Sequence, residues 1–288
     1  MRTLRSVADV RGHVSAARAA GRSVGLVPTM GAFHDGHLAL MRAARERCDD
    51  VIVSLFVNPA QFDEASDLAA YPRDEASDAE LAAGAGVDVL FAPDPEAVYP
   101  PGFATTVHVA GLSDVLEGAA RGSGHFAAVC TVVAKLLNMV APDVAVFGAK
   151  DAQQVAVVRR MAADLDFPTR IEVVATVREP DGLALSSRNA RLAPGERARA
   201  VALAAGLRAA RTAAAGGERD PARLRAAAQG ALAARGVQPE YVALVDPDDF
   251  TVVEQADGRV LLALAARIGA TRLIDNAPLD LRPPAATG

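Results

Sequence analysis

The feature that most constrains the fold is an alternation between Val24 and about Val174. Short β-branched runs bounded by Gly, Pro or Asp are each followed by a segment of helical pattern. Runs 24–27, 51–57, 87–91 and 144–147 are predicted as strands, and 38–47, 74–83, 127–139 and 152–164 as helices. Strands apolar along their whole length need cover on both faces. The pattern therefore predicts an α/β fold, a doubly wound, mostly parallel, Rossmann-like sheet. Ligands of such sheets bind beyond the carboxyl ends of the strands, which directs attention to the residues just after each run.

Beyond Arg178-Glu-Pro-Asp-Gly182 the character changes. Pro194-Gly195-Glu196 opens an Ala/Arg-rich helix to about Ala215, and Gly216-Gly217 breaks it. Asp220-Pro221 offers an N-cap with proline at the first helical position of the next helix. Three strand candidates then crowd together at 241–245, 260–265 and 272–274. The expected division is a Rossmann-like domain over residues 1–176 and a smaller α+β domain over 177–288.

With 51% hydrophobic and 23% charged residues in 288, the chain can bury a substantial core. Its formal charge is −5 and its Lys and Arg are scattered, which argues against a nucleic-acid-binding face. Cys48 and Cys130 have no Cys or His neighbour at zinc spacing and read as reduced thiols. No signal-peptide core and no 18-residue apolar run is seen, so a cytoplasmic protein without membrane contact is expected.

The first predicted strand runs into Pro28-Thr29, followed by Met30, Gly31, Ala32, Phe33, His34, Asp35, Gly36 and His37. His34 and His37, three apart, can share one side of a helix's first turn. That turn also offers backbone N–H groups and the positive end of the helix dipole, a seat for phosphate. The second strand leads into Asn58-Pro59-Ala60-Gln61, whose amides suit a hydroxyl or carboxylate, although an Asn-Pro turn with a surface Gln61 explains the same residues. After the fourth strand come Gly148, Ala149, Lys150 and Asp151, with Gln154 three further on. Gly148 permits close backbone approach, and Lys150 can reach phosphate as a point charge. Leu185-Ser186-Ser187-Arg188 supplies two hydroxyls and a guanidinium that can clamp phosphate oxygens. Gly118–His125 adds Arg121 and His125 in a Gly-rich loop, while His13 and His108 read as structural.

In order and spacing, the segments 28–37, 56–62, 71–73, 148–154 and 181–189 resemble the pantoate–β-alanine ligase family, with a looser echo at 241–247 and 272–276. The His34-x-Gly-His37 element alone is shared with the wider nucleotidyltransferase superfamily. The resemblance implies ATP, (R)-pantoate and β-alanine as substrates, with pantothenate, AMP and pyrophosphate as products. It also implies Mg²⁺ and a homodimer. By resemblance, Met30 to His37, Gly148 to Asp151, the backbone of Val177, and Leu185 to Arg188 line the ATP site. His37, His34, Lys150, Ser186, Ser187 and Arg188 act on the phosphates. Gln61 touches pantoate and β-alanine, and Gln154 touches pantoate. The chain departs from the family at Arg121-Gly-Ser-Gly-His125, where Arg-Pro-Gly-His is usual, and at Ala149, where Glu is common. An adenylyltransferase making a larger cofactor remains the rival within the superfamily. It would need a phosphate acceptor, whereas Gln61 and Gln154 suit a small hydroxy acid.

Overall fold

The structure, a computed structural model, describes residues 1–62, 68–69, 71–122, 124–255 and 258–282. Two compact units divide the chain: Met1–Ala149 with Gln153–Ala175, and Lys150–Ala152 with the residues from Thr176 on.

The first unit is built on six strands: β1 (Arg2–Leu4), β2 (Val24–Thr29), β3 (Asp50–Leu55), β4 (Val89–Phe91), β5 (Val144–Gly148) and β6 (Arg170–Val174). They form one sheet in the order β1-β4-β3-β2-β5-β6, and every pairing is parallel. From β2 the chain runs outward through β3 and β4, then returns to lay β5 on the other side of β2. The loops after β2 and β5 therefore flank the point where strand order reverses, the usual place for a ligand in such a sheet. Helices α1 (Val7–Ala19), α2 (Asp35–Arg45), α3 (Glu75–Gly84), α4 (Gly124–Val140) and α5 (Ala152–Asp164) connect the strands. Val27, Val51, Val53, Leu90 and Val146 are fully buried with Met41 and Ala44 of α2 in one cluster, which explains the unbroken apolar runs.

Two edge strands escaped the sequence pattern. β1 has three residues and buries only Leu4, and β6 alternates Arg170 and Glu172 with Ile171 and Val173 at the sheet margin. The strand expected over 51–57 stops at Leu55, and that expected over 87–91 begins at Val89.

The second unit has an antiparallel sheet, β7 (Pro239–Val245), β8 (Arg259–Ile268) and β9 (Thr271–Asp280), in that order. Pro278 lies in β9, an edge strand that tolerates a missing N–H. The helix expected over 194–215 is two, Pro194–Ala200 and α6 (Ala202–Ala215), divided at Val201. Asp220 caps α7 (Pro221–Ala233) with Pro221 at its start, as the sequence indicates. Leu203, Leu207, Leu224 and Leu232 of these helices share a core with Leu244, Leu262 and Leu264. Gly269, at φ +59°, follows β8, and a Cβ there would lie 1.7 Å from a Glu196 carboxylate oxygen. Among the described residues no helix is long and apolar enough to cross a membrane.

Candidate active site

In the first unit the chain leaves β2 through two left-handed residues, Gly31 at φ +88° and Ala32 at φ +53°. Only glycine fits at position 31, where a Cβ would approach Leu55 Cδ1 to 2.7 Å and Asp78 Oδ2 to 2.8 Å. Helix α2 begins next, and its first turn is capped by the two histidines. His34 Nδ1 accepts from the Gly36 N–H at 3.1 Å, and His37 Nδ1 accepts from the His34 N–H at 3.3 Å. The rings lie 4.2 Å apart between centroids, and Phe33 lies 5.4 Å from His37. An imidazole accepting at Nδ1 carries the proton of its neutral form on Nε2. The cap therefore fixes both tautomers and makes Nε2 the donor of each ring. It also modifies the expected backbone seat for phosphate, because the Gly36 and His34 N–H groups are turned to these imidazoles.

The N–H groups of Ala32 and Phe33 are likewise turned inward. They donate to Asp78 on α3, at 2.9 Å to Oδ2 and 2.7 Å to Oδ1. Asp78 is 3% exposed. Burial pushes its carboxyl above the usual range, and the two amides pull it partly back. No sequence signal marks this residue, since an acid in a first turn reads as an ordinary helix charge.

Gln61 ends a turn of 3₁₀-helix, Pro59–Gln61, after β3. Its Oε1 accepts from Asn58 Nδ2 at 2.9 Å, and the Asn58 Oδ1 accepts from the Tyr99 hydroxyl at 3.0 Å and the Ala60 N–H at 3.3 Å. Asn58 is buried, so the amide of the half-buried Gln61 is oriented from below with its Nε2 as the donor end. Burial raises the Tyr99 hydroxyl to about 12, against the lowering effect of its bond to Asn58, and keeps it a donor. Gln154 is half-buried on α5, whereas Gln153 beside it faces the interior. Gln153 Nε2 donates to the carbonyls of Leu112 (2.9 Å) and Val115 (2.8 Å), and its Oε1 accepts from the Glu117 N–H at 3.0 Å. This latch holds the loop leading to Arg121, which pairs with Glu117 at 3.2 Å. The expected Gly-rich loop is largely helical: Glu117–Arg121 is a short helix, His125 lies in the first turn of α4 and packs on Phe126, and Ser123 lies outside the described residues. His13 pairs with the buried Asp50 at 2.8 Å.

Gly148 ends β5, and the run continues as a 3₁₀ turn, Ala149–Asp151, whose Lys150 and Asp151 pack with the second unit. There the Lys150 carbonyl accepts from Asn276 Nδ2 at 2.9 Å. Its ammonium lies 3.8 Å from Asp151, and the Lys150 side chain is 17% exposed. The segment from Val177 to Arg188 folds back on itself. The Leu185 N–H donates to the Val177 carbonyl at 3.0 Å, and Arg178 bridges Ala184. Ser186 Oγ accepts from the Arg188 N–H at 3.3 Å, which leaves its hydroxyl hydrogen to point at an acceptor. Ser186, Ser187 and Arg188 are all half-buried. Arg178 forks onto Asp275 at 2.7 and 2.9 Å and also donates to the carbonyls of Gly182 and Asn276. One guanidinium thus joins the serine-bearing turn to β9, whose Asn276 holds the Lys150 backbone. Among the described residues no group of three or more His, Cys, Asp or Glu is assembled to hold a metal ion.

The family described as pantoate-beta-alanine ligase matches residues 2–278. A pantothenate synthetase of Cereibacter sphaeroides is 54% identical over 96% of this chain and 99% of its own length. One from Moorella thermoacetica is 52% identical over 98% and 99%. The crystal structure of pantothenate synthetase from Thermus thermophilus superposes with a TM-score of 0.91 at 45% identity, covering 98% of this chain and 100% of that one. The Francisella tularensis pantoate-beta-alanine ligase, complexed with beta-gamma ATP and beta-alanine, gives 0.77 at 32% identity, covering 96% and 97%. A match spanning nearly the whole chain, on a sheet whose switch-point loops carry the paired imidazoles, shows that the chain belongs to the pantoate–β-alanine ligase family.

Proposed function

We propose that this ligase joins (R)-pantoate to β-alanine in two steps through a pantoyl adenylate, consuming ATP and releasing pyrophosphate and then AMP. A carboxylate is a poor acyl donor because its leaving group would be oxide. Adenylation replaces that with AMP. The pantoate carboxylate attacks the α-phosphorus of ATP in line. The β-alanine amine then attacks the pantoyl carbonyl, so no covalent enzyme intermediate is required.

The observation that carries this reading is the pair of capped imidazoles. With both Nδ1 atoms accepting backbone N–H groups, Nε2 is the donor end of each ring, which suits charge developing on phosphoryl oxygens. Met30 to His37 and Gly148 to Asp151 contribute the ATP contacts together with Val177 and Leu185. Lys150, Ser186, Ser187 and Arg188 stabilise phosphoryl charge alongside His34 and His37. Gln61 and Gln154 bind the hydroxyls and carboxylate of pantoate, and Gln61 also meets β-alanine.

Mg²⁺ characteristically keeps several waters and takes one or two carboxylates besides substrate phosphates. Asp151, beside Lys150, fits as such a carboxylate, and the ion would neutralise triphosphate charge. We further propose that the enzyme is a cytoplasmic homodimer.

AMP formation with each substrate omitted in turn tests the reading, together with pantoate-dependent exchange of pyrophosphate into ATP. Exchange should require pantoate but not β-alanine. Exchange without pantoate, or none with it, would refute the adenylate.

A further inference from the structure

We propose that Asp78 is a positioning residue for the ligase reaction. Its carboxylate fills a cradle of two successive backbone N–H groups and holds the Met30–His37 segment in the shape that presents His34 and His37. The inference rests on the reading of those imidazoles given above. Consecutive amides beside left-handed residues form a concave anion site that often receives a ligand's phosphate. Here the anion is the protein's own. Asp78 spans the cradle with one oxygen on each N–H, at 2.9 and 2.7 Å, and is 3% exposed.

Two observations separate this role from simple helix capping. Helix α3 already has its cap, because the Asp74 Oδ1 accepts from the Ser77 N–H at 3.0 Å. Both Asp78 oxygens are instead spent on a loop more than forty residues away in sequence. The loop also needs the help. Ala32 holds φ +53°, a conformation that strains an L-residue. The charge-assisted bonds on either side of that peptide offset the strain. Phe33, fixed by the second bond, then lies against the His37 ring at 5.4 Å. The chain of contact runs from a buried carboxylate through a strained loop to the imidazoles.

Asp78→Asn keeps the shape but leaves one accepting oxygen and turns an NH₂ toward the other amide. The expected result is a fall of about 10²-fold in kcat for pantoate-dependent pyrophosphate exchange, with a smaller change in KM for ATP. In ¹⁵N-resolved NMR, the Ala32 and Phe33 amide protons should lie downfield in the parent protein and move upfield in the variant. Adding Ala32→Gly, which relieves the left-handed strain, should recover part of the lost rate.

Parent-like exchange in Asp78→Asn overturns the proposal. So does a slow variant whose two amide resonances are unmoved or whose rate Ala32→Gly does not improve. If Asp78→Asn does not fold, Gly31→Ala addresses the same contact from the other side, since its Cβ would press on Asp78 Oδ2 at 2.8 Å. Normal exchange with unmoved amides in that variant is equally fatal. A parent protein without pantoate-dependent exchange refutes the adenylate reading instead, and the amide resonances still report on the carboxylate contact.

Discussion

The two units hold their candidate site residues by different physics. In the first, loops after parallel strands are fixed from beneath by buried, uncharged or singly charged hydrogen-bonding groups: Asn58 under Gln61, Gln153 under the Arg121 loop, Asp78 under the histidine segment. In the second, ion pairs dominate. Arg178 grips Asp275, and Arg197 reaches Glu179 at 2.5 Å and Asp181 at 2.8 Å. A deep six-stranded sheet provides an interior into which polar latches can be sunk. A three-stranded sheet offers less cover, so its turns are tied at partly exposed positions where guanidinium forks are the effective clamp. The lesson is that the first set and the buried Arg178–Asp275 pair should resist salt, whereas the partly exposed Arg197 pairs should not.

The largest expected effect is chemical. Lys150→Ala should lower the rate of adenylation by about 10²–10³-fold, with a lesser change in ATP affinity, read from single-turnover pyrophosphate release. Near-normal adenylation would remove Lys150 from the phosphate site. Next comes Arg178→Ala, which abandons a carboxylate whose side chain is 1% exposed. We expect a loss of about 3 kcal/mol in urea denaturation, borne by the second unit. Asn58→Ala should cost about 1–3 kcal/mol by stranding the Tyr99 hydroxyl and freeing Gln61, and should raise KM for pantoate. Its effect should be indifferent to ionic strength. Arg197→Ala should cost about 1 kcal/mol or less at low salt and lose that effect near 1 M, since its partners are partly solvated. If Asn58→Ala tracked salt and Arg197→Ala did not, the contrast between the units would fail. The smallest change is expected from Cys48→Ala with Cys130→Ala. Both thiols are buried, and burial pushes them upward, Cys130 to about 12, so activity should persist.

Much of this was legible in the chain. Buried parallel strands advertise themselves through runs such as Val51-Ile-Val53, and the capped start of α7 through Asp220-Pro221. Edge strands do not, because β6 fully buries none of its residues and β1 has room for one buried side chain. At the candidate site, His34, His37, Lys150, Ser186 and Arg188 are singled out by their chemistry alone. Their supports are not. Gln153 and Gln154 are adjacent and identical, and only helical rotation sends one into the core. Asp78 looks like any acid near a helix start, and Asp275 gains meaning only through Arg178, 97 positions earlier. Such pairings are written in tertiary structure, where no local pattern reaches.

The reciprocal cap at the start of α2 has a practical consequence for reading mutants. Replacing either histidine with alanine removes the donor proposed to meet phosphate and also an acceptor that caps the helix start, so the measured defect mixes two losses. Asparagine at position 34, whose carbonyl can still receive the Gly36 N–H while no ring reaches outward, separates them. The gap between the asparagine and alanine enzymes at that position measures architecture; what remains against the parent is reactivity.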